Sequence, residues 1–427
     1  MGCKHVQLSD VATLTPGFAF KSKDFGNYDA KAIKITDVSD DCCSSDLTGV
    51  NIDKYSLAKM KKYLVHPGDY FLAMTGSIGK VGRITVGSAY LNQRVLGVRP
   101  SAAINKGYLW HLLNSNDFKN HLLTHIDSHS VQANISAKSV GSFEFDLPER
   151  TIQDAIASIL GSFDSKIQCN TRLNGYLADA VDGLFEKALG QAEEKTLTDV
   201  VEILSGGTPK TKISEYWEDG EIPFFGPGDA NGSTYCLTTA KRITQLGLEN
   251  CNSELYPVDT VFLTARGIVG KVAMAGKPMA MNQSCFAFRG LGVSQPAVYQ
   301  IIKRAVRSLK AKANGATFAA INTRDLKIET ILVPSAEELT AFEEEAASLH
   351  SMMRVNEEES LKLSSLRDAL LPKLIAGEID VSKIDFMQLN SHLLEVLTYW
   401  HREGITDCHV WQVDTEIRFG APRLFCH

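Results

Sequence analysis

The chain has 427 residues, of which 44% are apolar and 22% charged, and a formal net charge of −6. That is enough for two or three domains with cores of their own. No apolar run reaches the 18 or so residues of a membrane-spanning helix, so no transmembrane helix is expected. The N-terminal Met1-Gly2-Cys3-Lys4-His5 lacks the apolar stretch of a signal peptide, so the cytoplasm is the expected location. The nine Cys are scattered without a CxxC pair. Cys236 and Cys251 have no Cys or His close enough to complete a zinc site, and reduced thiols are expected.

Residues 1–148 are expected to form a first globular part of mixed character. Short β-type runs at 70–74 and 95–98 lie between Gly and Asp turns. A helix is expected over roughly 107–123, with Leu109, Leu112, Leu113 and Leu122 on one side. The pattern then changes, and residues 149–190 read as one long helix. Ile152, Ile156, Ile159, Phe163, Lys166, Asn170, Leu173, Leu177, Ala180 and Leu184 mark a heptad seam with two polar interruptions. Pro148 stands just ahead, where a helix start tolerates proline. A second globular part is expected over 195–334. It includes a basic helix near 297–313 with Lys303, Arg304, Arg307, Lys310 and Lys312. The second long helix, 335–377, has its seam at Phe342, Ala346, Leu349, Met353, Asn356, Ser360, Leu363, Leu366 and Leu370, with Pro372 and Gly377 expected to end it. The tail, 386–427, has no counterpart in the first half. Leu389, Leu393, Val396, Leu397 and Trp400 suggest a short amphipathic helix there.

The chain contains one unit twice. Leu8-Ser9-Asp10-Val11 returns as Leu197-Thr198-Asp199-Val200, Gly79-Lys80-Val81 as Gly270-Lys271-Val272, and Asn92-Gln93 as Asn282-Gln283. Leu147-Pro148 and Val333-Pro334 open the two helical runs. Landmarks in the same order at a near-constant offset mean a duplicated head and helix. Pseudo-two-fold symmetry points to a partner with two similar half-sites, and DNA is the commonest such partner. Two amphipathic helices in one chain can bury each other's seams, and antiparallel pairing would place a head at each end. The alternative is that each helix packs on its own head. Asn170 and Asn356 occupy matching seam positions, where a polar residue fixes register and orientation at some cost in stability.

The acidity is uneven. Residues 335–385 carry 12 Asp and Glu against 5 Lys and Arg, whereas residues 195–334 carry 12 against 16. Mildly positive heads joined by a solvated spacer suit modules that touch phosphates, and suit ordinary surface charge equally. Glu343–Glu345 and Glu357–Glu359 read as the solvated face of the coil.

Ser205-Gly206-Gly207-Thr208-Pro209-Lys210, with Lys212 beyond, can bring backbone amides close to a phosphate; a plain turn after a strand is the alternative. Gly76-Ser77-Ile78-Gly79-Lys80 and Gly267-Ile268-Val269-Gly270-Lys271 are not phosphate-binding P-loops, which need four residues between the glycines and Ser or Thr after the lysine. They read as glycine loops between strands. From them Thr75, Ser77 and Lys80, or Thr264, Arg266 and Lys271, would project toward DNA, unless the loops are hairpin turns with incidental charge. Asn92-Gln93-Arg94 and Asn282-Gln283-Ser284 either meet adenine edges or, more commonly for such amides, tie down a buried turn. No HExxH, GxSxG, Asp-Pro-Pro-Tyr or Asn-Pro-Pro-Tyr is present. His125 and His129 sit four apart, but no nearby carboxylate pattern completes a metal site.

This order of motifs, duplicated, resembles the specificity subunit of type I restriction-modification systems over about residues 5–385. Ser205-Gly206-Gly207-Thr208-Pro209 with Tyr216-Trp217 and Ile222-Pro223 resembles the opening of a target recognition domain. Ala319-Ala320-Ile321-Asn322-Thr323 through Val333-Pro334 resembles its close, and Leu147-Pro148 through Ile156, Ile159-Leu160, Asp164, Ile167, Asn170 and Leu173 resembles the family's helical spacer. The first head departs, with Thr15-Pro16-Gly17-Phe18 where the second has its Gly-Gly-Thr-Pro turn.

The resemblance implies an α+β chain of two similar mixed α/β target recognition domains joined by two long antiparallel helices, a coiled-coil spacer. It implies that each domain reads half of a bipartite double-stranded DNA target. The helix pair would set a gap of order one duplex turn, ~34 Å, and would dock methyltransferase subunits, with restriction subunits joining. The chain would then be no enzyme and hold no catalytic residue, metal or cofactor. S-adenosylmethionine, ATP and magnesium would belong to the partner subunits, with no membrane involved. By residue type and loop placement, DNA contacts are expected at Thr75, Gly76, Ser77, Lys80 and Arg94 in the first head. In the second they are expected at Gly206, Gly207, Thr208, Lys210, Lys212, Arg266, Gly267, Lys271 and Arg324. A symmetric protein-binding scaffold without DNA readout is the alternative.

Overall fold

A computed structural model describes residues 3–39, 42–126, 133–312, 320–379 and 381. The tail 386–427, His129 and Ala319 lie outside the described residues. The chain forms two compact units. One takes the residues up to Leu160 together with the end of the second long helix from Leu370; the other takes Gly161–Ala369.

Both units contain the same sheet. In the second, Val201–Ser205, Cys285–Gly290, Val261–Thr264 and Val272–Ala275 run antiparallel, each to the next, and Tyr235–Cys236 adds a parallel edge. In the first, Ala12–Pro16, Val95–Pro100, Tyr70–Ala73, Val81–Val86 and Cys42–Cys43 repeat that order and those directions. The local reason is visible in Val261-Phe262-Leu263. Consecutive apolar residues suit a strand covered on both faces. Val261 and Leu263 pack toward the helix Gln295–Lys312, while Phe262 points into a separate cluster with Phe225, Tyr256 and Met281. Each head is closed by a short strand pair, Lys4–Gln7 with Glu144–Leu147 and Ala192–Thr196 with Thr330–Pro334. The long helices start directly after these pairs.

Those helices are Arg150–Ala188 and Ala336–Ile375. Within the second unit they run antiparallel. Asp164 meets Arg367 at 2.6 Å, Asn170 meets Ser360 at 3.2 Å, and the rings of Phe185 and Phe342 lie 5.1 Å apart, so numbers rise on one helix as they fall on the other. Both arrangements considered for the helices occur here, because the pair shares one apolar core with the second head. Val181, Phe185 and Ala188 from one helix and Phe342, Ala346 and Met353 from the other join Leu197, Val298, Ile302 and Val306. Burying a ring such as Phe185 contributes about 1.5–3 kcal/mol.

That shared core corrects the expected seam. Ala180 is exposed, because Val181, Phe185 and Ala188 form the face that reaches the head. Leu366 is 47% exposed, and His350, absent from the expected seam, is buried against Tyr235 and Tyr299. Pro372 does not end the second helix but sits inside it. Proline lacks a backbone N–H and so removes one hydrogen bond of the ladder, yet the helix runs on to Ile375. Gly377, in the left-handed region at φ 70°, then donates its N–H to the Leu374 carbonyl. The single helix expected over 107–123 is two, Lys106–Asn114 and Asn116–Thr124, because Ser115 caps the second by accepting from the Phe118 N–H at 3.2 Å. Glu357 and Glu359 are not merely solvated, since both accept hydrogen bonds from seam asparagines. No disulfide joins the described cysteines, and no described helix is long and apolar enough to cross a membrane.

Candidate nucleic-acid interface

Four sequence-distant segments meet at one edge of each head. In the second head the glycine loop joins Val261–Thr264 to Val272–Ala275. It is closed by bonds from the Thr264 N–H to the Lys271 carbonyl at 2.9 Å and from the Gly270 N–H to the Thr264 carbonyl at 2.8 Å. Gly267 and Gly270 both have φ of 79°, which a side chain would oppose. The N–H groups of Ala265 and Arg266 donate to the Ser284 carbonyl at 2.8 and 3.1 Å, fastening the loop to the Asn282-Gln283-Ser284 turn. Ile321 donates its N–H to Ala265, bringing up the segment that carries Arg324. The Thr208 hydroxyl donates to the Gln283 side chain.

The first head repeats this. Its loop closes through Ala73 N–H to Lys80 carbonyl (3.0 Å) and Gly79 N–H to Ala73 carbonyl (3.3 Å). Met74 donates its N–H to the Arg94 carbonyl at 2.9 Å, Ile135 donates its N–H to Met74, and Gln93 donates its N–H to the Phe18 carbonyl. Arg94, at φ 70°, holds Asn134 with its guanidinium at 2.9 Å. Nothing local in the sequence marks Asn134.

Most of the expected contact residues lie on these edges with their polar groups outward. Gly76, Ser77, Lys80 and Arg94 are exposed in the first head, as are Lys210, Lys212, Arg266, Gly267, Lys271 and Arg324 in the second, and Thr208 is half-buried. None of these Lys and Arg except Arg94 has a side-chain partner among the described residues. Three of the expected contact residues are placed differently. Thr75 is buried, with its backbone bridged to Asn134. Gly206 and Gly207 are buried as well, and the Gly207 N–H is committed to the Met281 carbonyl at 3.0 Å, so it does not cradle a phosphate. A Cβ on Gly206 would stand 2.2 Å from the Asn282 carbonyl oxygen, and one on Gly17 would stand 2.0 Å from that of Asn92. These glycines let two backbones touch. Asn282 is a turn-former, its Oδ1 accepting from the Ser284 N–H at 2.9 Å.

The basic helix faces inward electrostatically. Asp182 of the first long helix accepts from Lys303 at 2.6 Å and from Gln300 at 2.8 Å and lies 3.6 Å from Arg307; Glu186 pairs with Arg304 at 2.6 Å. Burial raises the Asp182 carboxyl, but the hydrogen bonds from Lys303 and Gln300 and the nearby positive charges overcome it, leaving the pKa below its ordinary value. Lys312 pairs with the buried Glu329 at 2.7 Å. Between the helices, Asn170 donates to Glu359 (2.8 Å), Ser360 (3.2 Å) and the Asn356 carbonyl (3.3 Å), and accepts from Lys166 at 3.1 Å. Asn356 donates to Asn174 at 2.8 Å. The Asn170–Ser360 and Asn356–Asn174 contacts exchange when the two halves of the chain are exchanged. No group of three metal-ligating side chains is found among the described residues.

The type I restriction modification DNA specificity domain matches the sequence twice, over residues 2–177 and 190–357. The MjaIX specificity subunit of a type I restriction enzyme from Methanocaldococcus jannaschii is 34% identical over 152 residues, 34% of this chain and 34% of that protein. The HindI specificity subunit from Haemophilus influenzae is 28% identical over 199 residues, 44% of this chain and 41% of that protein. These alignments span less than half the length of either curated relative. The crystal structure of a type I restriction-modification S subunit from M. genitalium aligns with a TM-score of 0.49 at 14% identity, over 87% of this chain and 96% of that one. With two family matches that together cover most of its length, the chain belongs to the type I restriction modification DNA specificity domain family.

Proposed function

We propose that the chain is the sequence-recognition subunit of a type I restriction-modification complex, each head reading one half of a bipartite duplex target. The helix pair sets the gap between the halves and docks methyltransferase subunits. Methylation and cleavage take place in those and in restriction subunits, which bring S-adenosylmethionine, ATP and magnesium. The chain itself positions DNA in the cytoplasm and catalyses nothing.

The observation that carries this reading is one edge built twice with different side chains. The backbone contacts repeat, yet Ser77 and Arg94 of the first head stand where the second has Ile268 and Ser284. Equal frames with unequal polar groups suit two unlike half-sites. Arg266 supports a guanine contact in one of them, since its guanidinium matches the guanine major-groove edge. The test replaces residues 195–334 with the corresponding domain of a relative and maps methylated adenines in the cell. One half of the motif should change, with the other half and the gap kept. A change in both halves, or in neither while the protein is expressed, would overturn the assignment.

A further inference from the structure

The first head carries a basic surface that its sequence motifs did not reveal. Lys59, Lys61 and Lys62 are all exposed, on the short helix Leu57–Met60 and the turn Lys61–Tyr63 that follows. None of the three forms an ion pair with a described residue. Their backbone is fixed. Met60 is fully buried, and the Arg99 guanidinium donates to the carbonyls of Lys62 and Leu64. An aromatic platform lies beneath them. Phe18 packs on Tyr55 and Tyr63 at centroid distances of 4.9 and 5.3 Å, with Lys59 5.7 Å from the Phe18 ring and Lys62 4.8 Å from the Tyr63 ring. The buried Asp24 is already held by Lys54, Tyr55 and the Lys21 N–H, so its charge is not available to the three lysines.

The surface also continues the edge described above, because the Phe18 carbonyl accepts from the Gln93 N–H at 2.9 Å. In the second head the corresponding helix, Gln245–Glu249, carries no lysine. We infer that Lys59, Lys61 and Lys62 contact the phosphates of the duplex beside the first half-site, as a non-sequence-reading anchor on the first head. Three exposed cations on a fixed backbone beside the edge described above fit a polyanion of regular spacing, which a DNA strand supplies. The inference rests on the DNA-recognition reading proposed above.

The test uses the full-length chain purified with its methyltransferase subunits and a duplex of about 30 base pairs of random sequence, titrated between about 50 and 200 mM salt. Each phosphate contact contributes about 0.9 to the slope of log K against log salt. The combined Lys59→Ala, Lys61→Ala and Lys62→Ala variant should therefore lose about 2.7 of that slope. The combined Lys→Arg variant should keep it, and the half-site sequences in the methylation map should not change. A wild-type slope in a folded alanine variant overturns the inference and leaves the DNA-recognition reading standing. Loss of co-purifying methyltransferase subunits without loss of slope overturns it in favour of a protein-docking surface. If the wild-type complex itself shows no salt-dependent duplex binding, both readings fall.

Discussion

Replacing Asn170 by alanine should cost the helix pair several times more than replacing its sequence counterpart Asn356. Asn170 is 1% exposed. Its amide shares two hydrogens among Glu359, Ser360 and the Asn356 carbonyl, and its oxygen accepts from Lys166. Two donated bonds and one accepted bond, at about 1 kcal/mol net each, put the loss near 3 kcal/mol. Lys166 and Glu359 remain paired with each other at 3.1 Å after the substitution, so neither is left as an isolated buried charge and the loss is not larger. The side chain of Asn356 donates one bond, to Asn174 at 2.8 Å, so Asn356→Ala should cost about 1 kcal/mol. Urea denaturation of the full-length chain, followed by helical circular dichroism, measures both. Equal losses, or a larger loss for Asn356→Ala, would refute the bond-by-bond reasoning.

Acid should loosen the packing of the second long helix on its head. Burial, with the charge of Lys303 adding to it, pushes the His350 imidazole down to about 4, so it stays neutral in the fold while the unfolded chain takes up a proton near 6.5. Stability is then complete above about 6.5 and falls as pH drops toward 4, by roughly 3 kcal/mol if His350 alone is counted. His350→Phe should flatten that part of a plot of unfolding free energy against pH, and an unchanged profile would show that other groups cause it. Gly206→Ala and Gly17→Ala should each lower the thermal midpoint of the head that carries them. The new methyl would stand within 2.2 Å of a carbonyl oxygen, and relieving such overpacking costs about 1–3 kcal/mol or more. Scanning calorimetry that finds either variant as stable as the parent would contradict the close backbone contact.

What could be read from the sequence was what repeats or is periodic along the chain. The duplicated landmarks announced two heads, and spacings of three and four announced two long helices. The polar breaks at Asn170 and Asn356 announced the register point, because a seam position repeats at a fixed interval whatever surrounds it. The convergent edges were legible only as separate pieces. The glycine loop, the Asn-Gln turn and the strand-end glycine each left a local mark, but their meeting rests on backbone hydrogen bonds between residues far apart in the chain. The same limit holds for single residues. Gly206 and Gly207 resemble an anion cradle until Met281 and Asn282 are seen against them, and the basic helix gives no sign in the sequence that Asp182 and Glu186 already hold Lys303, Arg304 and Arg307. Residue type and spacing state which charges and amides exist. Which of them are already satisfied is decided by packing between residues far apart in the chain, because desolvation and hydrogen bonding act at contact and leave no periodic trace in the sequence.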